Sequence, residues 1–248
     1  MNKTVLAAAI ATAIAMAQPP TAQANGGDFK LDFIAAAPFT YDHATGGGAF
    51  DDRTIGKAND VVESLEGGDF ACGDLVTHFV QIAAIPGAAQ QTIRMKFTWT
   101  ADSTGQSGAA YDQMHNPKIN TGVIADGQGE GAGGTDSGNA EVGTAASVVG
   151  FTQDLTQTLH SKGAAHSAVV DVAGLNGGDK VVLRFELDIH CNGQDPTGNL
   201  QATLDTAEVI VGGTGKIGSG AQTIPLKRVG DIKPCDNPKG CEPPPPPK

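Results

Sequence analysis

Basic and aromatic residues are scarce in this chain of 248 residues. It has 16 Lys and Arg against 27 Asp and Glu, a formal net charge of -11, and only 5% aromatic side chains. Such a charge repels the phosphate backbone of nucleic acids, so we expect no nucleic-acid partner. A long helical period is also missing, while 34 Gly and 14 Pro predict many turns. Coiled coils and helical bundles are therefore excluded.

Long apolar runs occur only near the N-terminus. Lys3 precedes an apolar stretch from Val5 to Ala17, and Ala22-Gln23-Ala24 places small residues where a signal peptidase requires them. This pattern predicts a signal peptide over residues 1–24 and export of the rest of the chain. No later stretch approaches the ~20 apolar residues of a membrane helix, so we expect no membrane span. The predicted location is secreted, extracellular or at the cell surface.

Cysteine is rare, and an oxidising destination favours disulfides among the four that are present. Cys235 and Cys241 enclose Pro, Asn and Gly, which bend the chain enough to close a small local loop. That pairing leaves Cys72 to bond with Cys191. Zinc is the alternative ligand, but the Cys-x-x-Cys or Cys/His spacing typical of zinc sites is absent. The spacing therefore favours two disulfides.

Alternation of apolar and polar residues predicts the fold. From Val181 to His190 every odd position is apolar and the even positions after Val182 are polar, which predicts a strand with one solvent-exposed face. Thr92 to Trp99 shows the same period, with Trp99 on the apolar side. Further strands are predicted at 29–33, 75–82, 119–124, 169–172, 200–204, 207–211 and 223–229. With Gly- and Asn-rich turns between them, these segments indicate an all-β chain: an antiparallel β-sandwich, immunoglobulin-like or jelly-roll-like, with long Gly-rich loops.

Proline marks the end of the predicted domain. Seven prolines lie at or after Pro234, including the run from Pro243 to Pro247. Consecutive prolines form a stiff polyproline II rod that cannot join a sheet. We therefore predict a signal peptide over 1–24, a β-sandwich domain over 25–232 and a Cys- and Pro-rich tail over 233–248. The tail is typical of a linker, and a stalk or a ligand for an aromatic groove is the alternative.

Two acidic stretches are candidate cation sites. Calcium takes about six to eight oxygen ligands, and extracellular modules bind it weakly. The first stretch predicts a calcium site with the ligands Asp51, Asp52, Asp60, Glu63, Asp69 and Asp74. Arg53 and Lys57 interrupt it, so internal ion pairs are the alternative explanation. The second stretch, Ala125 to Glu141, lacks the spacing of an EF-hand, and a solvated acidic loop is the alternative there.

Catalytic patterns are scarce as well. The six histidines, at positions 43, 78, 115, 160, 166 and 190, show no His-x-x-x-His spacing, which favours surface or strand-face positions over a metal site. No Gly-x-Ser-x-Gly motif of a serine hydrolase occurs. Paired carboxylates for glycoside hydrolysis are set by distance in space, so a carbohydrate-acting hydrolase on a β-sandwich is the alternative function. One Trp and two Tyr offer few faces for sugar rings, which favours a protein without catalytic activity.

Several segments resemble exported domains of large prokaryotic cell-surface proteins, which often carry adhesin-like modules of the serine-aspartate-repeat B type. The similar segments are 41–56, 60–74, 105–108, 133–138 and 195–202, in the same order, so the likeness extends from Gly27 to Asp231. The resemblance implies a structural or interaction protein of the cell surface and supplies no catalytic residue.

The predicted function is therefore that of a secreted or cell-surface, adhesin-like interaction protein, stabilised by Ca²⁺ or self-associating. Its expected partners are cell-surface polymers, other proteins or copies of itself. Sheet edges offer unpaired backbone groups, and Phe29 to Phe33 is a candidate strand to be lent to a neighbouring copy.

Overall fold

The computed structural model describes residues 24–36, 61–85, 90–103, 108–120, 145–218 and 220–234. Within these ranges the chain forms thirteen β-strands and no α-helix. The strands are β1 (Ala24–Asn25), β2 (Phe29–Ala36), β3 (Val61–Val62), β4 (Leu65–Glu66), β5 (Leu75–Ala84), β6 (Gln91–Thr100), β7 (Ala109–Ile119), β8 (Ser147–Asp154), β9 (Ala165–Leu175), β10 (Lys180–Cys191), β11 (Leu200–Val211), β12 (Gly213–Lys216) and β13 (Gln222–Lys227). In this part of the chain no helix is long and apolar enough to cross a membrane.

Two sheets face each other, which confirms the predicted all-β sandwich. The larger sheet has the order β1-β12-β11-β6-β9-β8, with β13 also paired to β11 and β4 to β13. The smaller sheet has the order β3-β2-β5-β10-β7. The chain passes between the sheets after β1, β3, β4, β5, β6, β7, β9 and β10. Both sheets are therefore built from segments distant in sequence.

The core lies between the sheets because one face of each long strand is apolar. On β6 the side chains of Ile93, Met95, Phe97 and Trp99 are at most 2% exposed. They meet the odd-numbered residues of β10, and the ring centroids of Phe97 and Phe185 lie 4.9 Å apart. Each large apolar side chain buried in this way contributes about 1.5–3 kcal/mol.

The prediction that one face of β10 is exposed to solvent is wrong. Arg184, Glu186 and Asp188 are 1%, 4% and 2% exposed. These polar groups are buried because they pair: Nε of Arg184 lies 3.4 Å from Oε1 of Glu186, and the side-chain amide of Asn116 donates to Oε2 of Glu186 at 3.2 Å. Beside them Ile34, Ala36, Val61, Phe79 and Val182 form a second apolar cluster. Both faces of the smaller sheet are therefore packed.

Other segments differ from the sequence prediction. The predicted strands 200–204 and 207–211 form one strand, β11, while β7, β8 and the short strands β1, β3, β4 and β12 were not predicted. The segment 29–33 was considered as a strand for a neighbouring copy, but it pairs with β5 of its own chain. Of the predicted strand 119–124, only the first two residues are described, and β7 ends at Ile119.

Both ends of the described chain make backbone contacts with the rest of the domain. Ala24 and Asn25, on either side of the predicted cleavage site, pair with Gly213 and Thr214. After β13, the amide of Lys233 donates to the carbonyl of Phe70 at 3.0 Å. These backbone contacts continue one residue beyond the predicted domain limit at 232. The tail from residue 235 onwards lies outside the described residues.

Candidate functional site

Three of the predicted calcium ligands can be placed. Glu63 is exposed after β3, Asp69 lies in the 3-10 turn Gly67–Asp69, and Asp74 is exposed in the turn before β5. Oδ2 of Asp74 accepts the backbone N–H of Ala71 at 2.7 Å, which holds that turn. The described residues contain no group of three or more Asp, Glu, His or Cys placed to hold a metal. Asp51, Asp52 and Asp60 lie outside them, so the calcium site stays a prediction.

A disulfide joins Cys72 to Cys191 across a sequence separation of 119 residues. Cys72 lies in the turn before β5, and Cys191 is the last residue of β10. Hydrogen bonds reinforce the link, because the amide of Gly73 donates to the carbonyl of Ile189 at 2.7 Å. The pairing expected from the cysteine spacing is thus present. Cys235 and Cys241 are outside the described part of the chain, and their bond stays a prediction.

Two histidines distant in sequence meet beside this disulfide. Nε2 of His160 lies 2.7 Å from Nδ1 of His190, and the ring centroids are 5.0 Å apart. His190 is fixed on β10 next to Cys191. His160 is held by its backbone, since its amide donates to the carbonyl of Ala101 at 2.8 Å. Its φ of 61° is the left-handed conformation that is rare for residues other than glycine.

Charge and burial act on the same pair. Burial lowers the pKa of His160, the neighbouring His190 lowers it further, and the charges of Asp102 and Asp112 partly offset this. Nδ1 of His160 and Oδ1 of Asp102 are both buried without a hydrogen-bond partner. The other oxygen of Asp102 accepts the amide of Gly163 at 3.2 Å. Asp102 is therefore a buried carboxylate with one unused oxygen, and the half-buried ring of His160 has one unused nitrogen.

A third histidine closes the space between the sheets nearby. Nδ1 of His166 lies 2.7 Å from the carbonyl oxygen of Asp112, and Nε2 lies 2.8 Å from that of Gln157. Both partners are carbonyl oxygens, which only accept, so a ring nitrogen that carries hydrogen donates to the carbonyl beside it. The indole N–H of Trp99 donates to the same carbonyl of Asp112 at 3.1 Å. Strands β6, β7 and β9 are thereby tied together.

The remaining histidines on the described strands are structural. His78 lies in the core, stacked against Phe33 and Phe185, and burial lowers its pKa to about 4. His115 lies on the opposite face of the smaller sheet. Its contact with Asp188, where Nε2 lies 3.3 Å from Oδ1, raises its pKa, and burial offsets part of that effect. His78 is therefore a neutral core residue, while the protonated form of His115 is favoured by a buried carboxylate.

The sequence did not reveal the histidine cluster. Spacing within one motif was the signal that was sought, whereas His160 follows β8 and His190 is the last residue but one of β10. His160 lies in the turn between β8 and β9, where its amide donates to the carbonyl of Ala101, so no strand register connects it with His190. The folding of this turn brings together two residues that no linear pattern connects.

The second distinctive feature is strand β8, at the edge of the larger sheet. It pairs only with β9 among the described strands. Val149 and Phe151 are 61% and 38% exposed, and a register shift falls between Val148 and Gly150. Such a bulge interrupts pairing along an edge. The stretch from Gly150 to Asp154 is thus a short, regular and partly apolar edge.

Comparisons with known proteins give loose structural likenesses. No family model matches the chain, and no curated protein matches it either. A cohesin module from a family 33 glycoside hydrolase of Clostridium perfringens is similar at 10% identity, with 70% of this chain and 93% of that chain covered and a TM-score of 0.34. A chain in the crystal structure of a CaDoc0917–CaCohA2 complex is similar at 15% identity, covering 66% and 94%, with a TM-score of 0.33. Neither likeness extends to a residue, a ligand or a partner of this chain.

Proposed function

We propose that this protein is an exported, non-catalytic interaction module that binds an extended, basic peptide segment of another protein along β8. The added segment forms one more strand of the larger sheet. The exposed apolar edge from Val149 to Asp154 is the observation that carries the proposal, because unpaired backbone groups and exposed apolar side chains favour strand addition.

Charge selects the class of partner. No Lys or Arg occurs from Ile119 to Ser161, whereas this interval contains five carboxylates, at 126, 130, 136, 141 and 154. Asp154 lies at the end of β8 itself. A second copy carries the same negative charge and is repelled at long range. A segment with Lys or Arg beside its apolar residues is attracted, which raises the association rate.

The alternative, a carbohydrate-acting hydrolase, finds little support in the described residues. Trp99 and Tyr111 are 2% and 0% exposed, so neither ring offers a face to a sugar. The disulfide supports export, because such bonds persist in oxidising compartments. Calcium at the acidic stretch 51–74 remains part of the proposal, as a stabilising ion.

Binding of synthetic peptides tests the proposal. The probe is a fluorescein-labelled peptide of about eight residues, alternating valine and lysine, followed by fluorescence anisotropy. Binding is expected to disappear when alternate backbone nitrogens are methylated, since methylation removes strand hydrogen bonds. It is also expected to weaken when glutamate replaces lysine, because that peptide is repelled.

Variants of the protein locate the site. Val149→Lys places a charge on β8 and is expected to weaken binding by at least about tenfold, equivalent to about 1.4 kcal/mol. Val211→Lys is the matched control, because Val211 is 59% exposed and lies at the end of β11. Equal binding by both variants, or by the methylated peptide, refutes strand addition at β8. Light scattering of the free protein detects the competing outcome, pairing between two copies.

A further inference from the structure

We propose that the contact between His160 and His190 is a pH-sensitive switch, which holds the turn 155–164 against the fold at neutral pH and releases it in acid. Nε2 of His160 lies 2.7 Å from Nδ1 of His190. The two rings come from different parts of the fold, since His160 lies in the turn between β8 and β9 and His190 lies on β10. Imidazole is the side chain that changes charge between about pH 5 and 8, so this contact responds to mild acid.

Backbone hydrogen bonds hold the turn to the end of β6. The amide of His160 donates to the carbonyl of Ala101 at 2.8 Å, and the amide of Ala101 donates to the carbonyl of Ala164 at 3.0 Å. The amide of Gly163 donates to a carboxylate oxygen of Asp102 at 3.2 Å. The imidazole pair therefore adds a side-chain contact that joins the same turn to the smaller sheet.

The backbone conformation at His160 favours release. Its φ of 61° lies in the left-handed region, which residues other than glycine rarely adopt. Such a conformation costs free energy and persists only where the surrounding contacts hold it. Loss of the imidazole contact allows this residue to return to an ordinary conformation, which stabilises the released turn relative to the held one.

Protonation acts on the hydrogen bond between the rings. In the neutral pair one of the facing nitrogens donates and the other accepts, and one added proton leaves this bond possible. A second added proton places hydrogen on both facing nitrogens, so that neither accepts, and two positive charges then face each other with ring centroids 5.0 Å apart. The rings in contact therefore hold at most one added proton, whereas the rings of the released turn take one each.

Other charged and titratable groups surround the pair. They are Asp102 after β6, Asp112 on β7, His166 on β9 and the exposed Lys162 in the turn itself. Burial lowers the pKa of His160, the charge of His190 lowers it further, and the carboxylates of Asp102 and Asp112 oppose both effects. Nε2 of His166 faces the carbonyl oxygen of Gln157 and donates to it when it carries hydrogen, so protonation of His166 supports the held turn. Release in acid therefore comes from the pair of His160 and His190.

The stability of the contact falls as the pH drops. Above the ordinary imidazole pKa of about 6.5 the held and released forms carry the same number of protons, and the contact is fully present. Below it the released turn binds one proton more, so each pH unit shifts the equilibrium toward release by up to about tenfold. At pH 5 the shift amounts to up to about thirtyfold.

Amide hydrogen exchange followed by NMR between pH 7 and pH 5 tests the proposal, with rates corrected for the intrinsic pH dependence of exchange. The protection of the amides at positions 160 and 101 is expected to fall by up to about thirtyfold in the wild type. Amides in the middle of β10 report global unfolding and are expected to exchange at least about tenfold more slowly at pH 5. His160→Gln and His190→Gln are expected to abolish the pH dependence at positions 160 and 101. His115→Gln removes a histidine elsewhere and is the matched control, with the pH dependence retained.

Nitrogen-15 NMR of the imidazole rings of the wild type keeps the test independent of variant folding. The second proton of the pair is expected to bind over the same pH range in which the amides lose protection. Three results overturn the proposal: protection that does not change with pH, a pH dependence that survives both histidine substitutions, and equal exchange in the turn and in β10. None of these outcomes depends on peptide binding at β8.

Discussion

Removing the disulfide between Cys72 and Cys191 is expected to lower the free energy of unfolding substantially. The bridge spans 119 residues, so it closes a long loop in the unfolded chain. For a loop of this length the chain-entropy model gives about 5 kcal/mol at 25 °C, and native disulfides typically contribute roughly 2–5 kcal/mol. At about 2–4 °C for each kcal/mol in a domain of this size, the melting temperature falls by roughly 4–20 °C.

The measurement is urea unfolding of the double variant Cys72→Ala/Cys191→Ala. Cys235 and Cys241 are replaced by serine in both proteins, so that no other pairing forms. Local hydrogen bonds between the turn at Gly73 and β10 remain in the variant, which isolates the effect of the covalent link. A loss below about 1 kcal/mol, or equal stability of the parent in the presence and absence of reductant, would refute the reasoning.

Three further predictions concern backbone and protonation. Gly174→Ala is expected to destabilise the fold by at least about 1 kcal/mol more than Gly178→Ala. Both glycines have positive φ, but a Cβ at Gly174 would lie 2.3 Å from the carbonyl oxygen of Ala145, whereas a Cβ at Gly178 would have nothing within 4 Å. Equal free energies of unfolding of the two variants in chemical denaturation would contradict this prediction. His78→Phe is expected to flatten the loss of stability in acid. The pKa of His78 is about 4 in the fold and 6.5 in the unfolded chain, so between these values only the unfolded chain takes up the proton. This uptake lowers the free energy of unfolding by roughly 3 kcal/mol by pH 4. Equal pH slopes of the stability of variant and wild type would contradict this. His115→Gln has the opposite sign. Because the fold raises the pKa of His115, the protonated ring stabilises the fold at pH 5.5, and this contribution is lost as the pH rises through the raised pKa. The variant should therefore lose more stability relative to the wild type at pH 5.5 than at pH 8.5. A larger loss at pH 8.5 would exclude the contact with Asp188 as the source of the stabilisation.

Alternation predicted those strands that have one apolar face toward the core. β6 and β10 were located to within about two residues, because each carries four or five apolar residues at a period of two. β8 was missed because Ser-Val-Val-Gly-Phe-Thr does not alternate, as expected for an edge strand with a bulge. β7 was missed because its polar residues contact polar residues of β10, as Asn116 contacts Glu186, and do not face the solvent.

The candidate sites depended on information that one sequence does not contain. The polar residues at the even positions of β10 predicted a solvent-exposed face. Glu186 is nevertheless buried, in contact with Arg184 and Asn116. Partners of this kind come from neighbouring strands, so their presence is known only once the register is known. His160 and His190 meet because the turn that carries His160 bonds to Ala101, which no pattern in the sequence indicates. The disulfide was predictable because only a few pairings of four cysteines exist and one was local.

The single tryptophan of the chain gives this fold a built-in optical probe. Trp99 is buried where β6 meets β7, and its ring lies edge-on to His166 with centroids 6.3 Å apart. Its emission should therefore be blue-shifted while the two layers remain closed and move to longer wavelength when water enters between them.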